Sequence, residues 1–132
     1  MRIAVTFFLI VGILLSAYFF IKPNRHDYSK QVKKNEKYYQ TILCEQLEGK
    51  MEYRLPDATR VDCLTKKYAI EVDFGRKWAE AIGQSLYYSI LTNRQPAIGL
   101  IIDIKKEKRF LNRLQVVASP LNIKIIPIKK HE

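Results

Sequence analysis

The chain has 132 residues and a formal net charge of +10, from 23 Lys plus Arg against 13 Asp plus Glu. Five Gly and five Pro exclude collagen-like, linker and disordered classes, and two Cys are too few for a disulfide-framework mini-protein or a four-ligand zinc site. Two His, at positions 26 and 131, exclude most histidine-based catalysis.

Residues 1–22 read as a membrane anchor or signal segment. Ile3 to Ile21 carries no charge, and at 1.5 Å per residue it spans about 28 Å, one hydrocarbon thickness. Leu14 and Leu15 spoil a small-x-small cleavage pattern at Ser16-Ala17, and the apolar run continues to Ile21. An uncleaved anchor is therefore the first reading and a cleaved signal the second. Lys22, Arg25, Lys30, Lys33 and Lys34 follow the run, against Arg2 before it. The positive-inside rule alone would leave the domain in the cytoplasm. Residues after 21 still carry +9, which suits a polyanionic partner such as nucleic acid or an anionic membrane surface.

Residues 23–28 form a polar, Pro-led linker, and 29–132 one small α/β domain. Asp27 or Ser29 offers a cap for a helix over 29–48, with Tyr38, Tyr39, Ile42, Leu43 and Leu47 as its apolar stripe and Gly49 as its end. Met51, Tyr53 and Leu55 alternate with charged residues, as in a half-buried strand. Pro56 to Thr59 is a turn, Arg60 to Leu64 a second strand, and Tyr68 to Phe74 a third. After Gly75, residues 76–93 read as a long helix. Ala97 to Asp103 is a continuous apolar strand, which fits a central parallel position. Lys105 to Ser119 is an amphipathic helix stopped by Pro120, and Ile123 to Ile128 a last strand. The order is helix, three strands, helix, strand, helix, strand.

Period-two alternation places Val61 and Cys63 on one face of the second strand, and Ile70 and Val72 on one face of the third. Asp62, Glu71 and Asp73 are left together on the opposite faces. Close carboxylates repel unless a proton or cation intervenes, and oxygen ligands suit Mg²⁺ or Mn²⁺. The plain alternative is two solvated strand faces. Lys77 opens the following helix, and on a 100° wheel it aligns with Gln84 and Tyr88 within about 40°. That stripe offers a cation for a developing oxyanion and polar groups for phosphate oxygens. Ile82, Leu86 and Ile90 lie roughly opposite, so the two sides cannot both pack on one sheet.

The stretch Leu55 to Tyr88 resembles the restriction-endonuclease-like, or PD-(D/E)XK, nuclease superfamily. Arg60-Val61-Asp62 matches the second-strand acid, Ala69-Ile70-Glu71 the third-strand acid, and Gln84 to Tyr88 the Gln-x-x-x-Tyr of the following helix. Glu45 resembles the first-helix Glu of several branches. Also similar is a group of small bacterial proteins with a hydrophobic leader and a Val-Asp-Cys strand. The resemblance covers about residues 28–130. It implies an αβββαβ core with an additional αβ unit, a central mixed sheet flanked by helices, and a preceding hydrophobic helix.

It further implies a metal-dependent hydrolase acting on DNA phosphodiester bonds. Asp62, Glu71 and Lys77 would be catalytic. Asp62, Glu71, Asp73 and Glu45 would hold Mg²⁺ or Mn²⁺. Gln84, Tyr88 and Arg60 would meet DNA. The departure is Asp73, which stands where the family has its Lys; Lys77 is placed to substitute. The alternative is a catalytically degenerate nucleic-acid-binding or interaction module on the same fold. Cys44 lies on the first helix and Cys63 on the core face of the second strand. They either pair as a disulfide or stay as two buried thiols. The similarity to the leader-bearing group favours the envelope side of the membrane, with a cytoplasm-facing anchor as the other possibility.

Overall fold

The computed structural model describes residues 34–131, within a compact unit formed by residues 33–132. The anchor or signal segment, the linker and the predicted helix start near residue 29 lie outside the described residues. Among the described residues no helix is long and apolar enough to cross a membrane.

Helix α1 runs Glu36–Gln46. Its cap is Asn35, whose side chain accepts the Tyr38 N–H at 3.0 Å. Strands β1 (Lys50–Arg54), β2 (Arg60–Leu64) and β3 (Tyr68–Phe74) follow. Asp57 closes the β1–β2 turn by accepting from the Thr59 N–H at 3.0 Å and its hydroxyl at 2.7 Å. A 3₁₀ turn, Gly75–Lys77, leads into α2 (Trp78–Thr92). Then come β4 (Gln95–Ile102), α3 (Ile104–Ala118) and β5 (Lys124–Lys129). The fold is α/β, and its order is the one the sequence predicts.

The strands form one mixed sheet in the order β1-β2-β3-β4-β5. β1, β2 and β3 pair antiparallel; β3, β4 and β5 pair parallel. β4 is apolar because both its faces are covered. Ala97 and Ile101 pack with Tyr39, Leu43, Ile70 and Val72 on the α1 side. Ile98, Leu100 and Ile102 pack with Ala81, Leu114 and Ala118 on the α2–α3 side. Gly99 lets α1 sit close: a Cβ there would lie 2.9 Å from Leu43 Cδ2.

The two sides of α2 sort cleanly. Ala81, Ser85 and Tyr88 are buried, while Ile82 and Leu86 lean half-buried on the α3 cluster. Ile90 is 78% exposed, so the predicted apolar stripe ends before it and the conflict disappears.

Cys44 and Cys63 are joined as a disulfide, 19 positions apart, with Cα atoms 5.5 Å apart. It bolts α1 to β2. Gly49 packs against it, for a Cβ at that position would collide with both sulfurs.

Candidate active site

The antiparallel ladder between β2 and β3 runs only through Leu64–Ala69 and Cys63–Ile70. At the next position the strands part. The side chain of Asp62 takes over, its Oδ2 accepting the Val72 N–H at 2.8 Å. The Asp62 carbonyl accepts from Gln40 Nε2 at 2.9 Å. The backbone groups released by the parting are thus satisfied by side chains, as buried polar groups require. Across β2, Glu52 has a left-handed φ of 50°, a conformation that a non-glycine residue holds at a cost of about 1–2 kcal/mol.

This parting changes the predicted faces. Val61 does not share the Cys63 side. It packs with Leu55, Ala69 and Tyr88, while Cys63 stays with Ile70 and Val72. Strict alternation fails because β2 bends at Asp62.

Glu71 and Asp73 alternate with Ile70 and Val72, so they point away from α1's core and toward α2. They are buried rather than solvated, 6% and 2% exposed, because α2 covers that face. Glu71 Oε2 is fully buried and has no hydrogen-bond partner. Asp73 Oδ1 accepts the Phe74 N–H at 3.0 Å and lies 3.2 Å from Lys77 Nζ. Lys77 Nζ also lies 3.8 Å from Glu36 Oε2 in the first turn of α1.

The electrostatics follow from this crowding. Burial, then the charges of Asp62 and Asp73, push the Glu71 carboxyl up to about 9. Burial pushes Asp62 up to about 6, opposed by the Val72 N–H. Burial, then the hydrogen bond and charge of Asp73, push Glu36 up to about 7. The Asp73 carboxylate holds the Lys77 ammonium above its ordinary value. Four carboxyl groups and one ammonium therefore share one partly desolvated pocket of charge.

The predicted site residues divide. Asp62, Glu71, Asp73 and Lys77 feel one another's charge. Glu45 does not join them. It is exposed, nine residues along α1 from Glu36, or about 14 Å of helix; the acid of α1 that lies near Asp73 and Lys77 is Glu36. Tyr88 is a core residue, 6% exposed, and Gln84 is exposed. Arg60 is exposed and pairs with Glu52 at 3.4 Å.

Two residues of the site escape sequence reasoning. Glu36 is hidden when the helix is started at 29, which makes it mid-helix rather than first-turn. Gln40 has one available signal: with Glu36 and Cys44 it forms an i, i+4, i+8 row on a single helix face.

Among the described residues, no group of three or more His, Cys, Asp or Glu side chains is arranged to hold a metal ion. A two-carboxylate site is a different matter, since Mg²⁺ keeps several waters and takes one or two carboxylates plus substrate phosphates. Asp62 and Glu71 are the pair that would be asked to hold such an ion, and Glu71 feels the charge of Asp62. Glu71 Oε2, buried and unpartnered, needs either a proton or a cation.

A cavity of about 720 Å³ opens at the carboxyl ends of β4 and β5, rimmed by Lys105, Lys129 and Lys130 over Ile102 and Ile128, and none of the acids of the cluster lines it. The outer face of α3 carries exposed Lys105, Lys108, Arg109 and Arg113. The 3₁₀ turn at the site packs against α3 through Gly75, where a Cβ would lie 3.2 Å from Phe110.

No protein-family model matches this chain. No curated protein and no solved structure matches it.

Proposed function

We propose that the domain is a metal-dependent nuclease-like module of the restriction-endonuclease-like type, acting on phosphodiester bonds of DNA. The observation that carries this reading is Glu71. Its buried, unpartnered oxygen faces the charges of Asp62, Asp73 and Glu36, beside Lys77. A carboxylate buried there needs a proton or a cation, and a divalent cation would meet that need with the protein's acids ionised. Asp62 and Glu71 would hold that ion, and its chemistry would be to polarise a phosphoryl oxygen and acidify a bound water.

This chain's own residues supply the rest. Asp62 is fixed by the Val72 N–H and by Gln40, so its carboxylate is aimed before any ligand arrives. Lys77, held against Asp73, presents a cation where charge would build on the phosphate. The basic outer face of α3 and the lysine-rimmed cavity would bear the phosphate backbone. The disulfide supports an oxidising compartment, and with the uncharged run 3–21 it supports a domain tethered at, or released to, the envelope side of a membrane.

The test is Mg²⁺- or Mn²⁺-dependent cutting of linear and nicked DNA by the full chain. Asp62→Ala and Glu71→Ala are each expected to abolish it, and Lys77→Ala to slow it by about 100-fold or more. Cutting that survives both acid substitutions overturns the reading.

A second reading, a module on the same fold that binds nucleic acid without cutting, is favoured by one contact. Lys77 is tied to Asp73 and Glu36, and an ammonium neutralised in this way is less free to stabilise phosphate. Salt-sensitive DNA binding with no turnover in any divalent metal would select it.

A further inference from the structure

Gln40 is polar, lies in the middle of α1 and is only 4% exposed. Its amide nitrogen faces three acceptors: the Asp62 carbonyl at 2.9 Å, Asp62 Oδ1 at 3.2 Å and Glu52 Oε1 at 2.9 Å. An amide has two hydrogens, so at least one is shared. All three acceptors sit where the β2–β3 ladder ends. Gln40 gives the Asp62 carbonyl a donor at the point where the ladder ends, and a buried carbonyl left without a donor costs about 1–3 kcal/mol. Gln40 therefore stabilises the parted state of the sheet, in which Asp62 Oδ2 can reach the Val72 N–H.

Four residues further along the same helix face is Cys44, bonded to Cys63. Cys63 directly follows Asp62. Helix α1 thus grips two adjacent residues of β2, one by hydrogen bonds and one covalently. The grip is tight on its far side, where Gly49 leaves no room behind the sulfurs. Any slide of α1 along the sheet would carry Gln40 off Asp62, and the disulfide forbids it.

We propose that Gln40 is a positioning residue that aims Asp62 by holding the sheet open, and that the Cys44–Cys63 disulfide keeps Gln40 in place, so that the acid site is assembled in the oxidised protein. This rests on the reading of Asp62 as a site residue. Disassembly takes two electrons and two protons from a dithiol such as dithiothreitol, which leaves as its own cyclic disulfide while Cys44 and Cys63 become thiols.

The Val72 amide reports the arrangement directly, because its hydrogen bond exists only while Asp62 is aimed. The experiment is residue-resolved amide hydrogen exchange by NMR on the full chain in micelles, alongside Mn²⁺ binding by calorimetry. Gln40→Met keeps the volume and removes the donor. It is expected to speed exchange at Val72 at least tenfold relative to the amides of β4, and to weaken Mn²⁺ binding. Dithiothreitol on the wild-type chain is expected to do the same at Val72, and covers the case in which Gln40→Met does not fold. Val72 protection that moves only in step with β4 under both treatments overturns the proposal. Selective loss at Val72 in a chain that never binds Mn²⁺ upholds the positioning role and overturns the metal reading. Mn²⁺ binding with unchanged Val72 protection in Gln40→Met and in reduced protein does the reverse.

Discussion

Burial and the charges of Asp62 and Asp73 raise the Glu71 carboxyl further than any other acid described, with Lys77 opposing only in part, and this makes it the residue whose protonation dominates the domain's response to pH. Glu71, Glu36 and Asp62 hold folded-state values of about 9, 7 and 6, all above their ordinary values near 4 in an unfolded chain. An acid whose folded value is raised binds its proton more tightly when folded. Its contribution to stability is therefore complete below about pH 4 and is lost as the pH climbs through the folded value. Without divalent cations, the melting temperature is expected to fall between pH 5 and pH 9. Glu71→Gln, neutral and nearly isosteric, should flatten that slope and raise the melting temperature at pH 8 by about 4–8 °C or more, the equivalent of 1 kcal/mol in a domain of this size. Thermal unfolding across that pH range in EDTA checks it; an unchanged slope in Glu71→Gln would show that Glu71 is not the buried acid responsible. That Glu71 and Asp73 share one face of β3 was legible from alternation, whereas the place of Asp62 was not, because β2 breaks the alternation there. The burial of Glu71 and Asp73 was not legible either, because alternation reports which residues share a face and says nothing of whether a helix covers it. Nor was the bend at Asp62 legible, since it depends on Gln40 reaching in from 22 residues away.

Two glycines show how the elements divide between those in contact and those that are free. At Gly99, in the centre of β4, a Cβ would lie 2.9 Å from Leu43 Cδ2 and 3.1 Å from both Ile128 Cδ1 and Val72 Cγ2. Those atoms come from three elements packed at interior density, so they cannot all yield. Gly99→Ala should destabilise by about 1–3 kcal/mol through overpacking between α1 and the sheet. At Gly83, inside α2, a Cβ meets nothing within 4 Å. Gly83→Ala removes backbone freedom from the unfolded chain at no steric cost, and should stabilise by about 0.5–1 kcal/mol. Urea unfolding of the pair checks both, and equal signs would contradict the packing. Elements with one strong signal, the unbroken apolar run of β4 and the helical period of α3, were legible to within two residues. α1 was not, since its true start is set by the Asn35 side chain capping Tyr38, and the sequence offers Asp27 and Ser29 as rival caps upstream.

At the scale of the whole molecule the charge is sorted by depth. Glu71 and Asp73 are buried and Asp62 half-buried at the parting of β2 and β3, while the surplus of positive charge lies outside, much of it on α3. Lys105, Arg109 and Arg113 follow one another at i, i+4 and i+8, a stripe about 12 Å long, and all three are exposed. Of the acids on α3 there is only Glu107, and it is engaged by Lys130 at 3.3 Å. If this stripe carries the phosphate backbone, each residue releases about one condensed counterion on binding duplex DNA. Replacing all three by Gln should then reduce the slope of log affinity against log salt by about 2–3, and weaken binding by a similar factor for every DNA sequence. The three side chains stand clear of the core, so the melting temperature should stay within a degree or two. Titrations at 50, 100 and 200 mM salt read the slope directly. A wild-type slope retained by the triple variant would remove α3 from the interface and leave the lysine rim at the ends of β4 and β5 as the surface to substitute next.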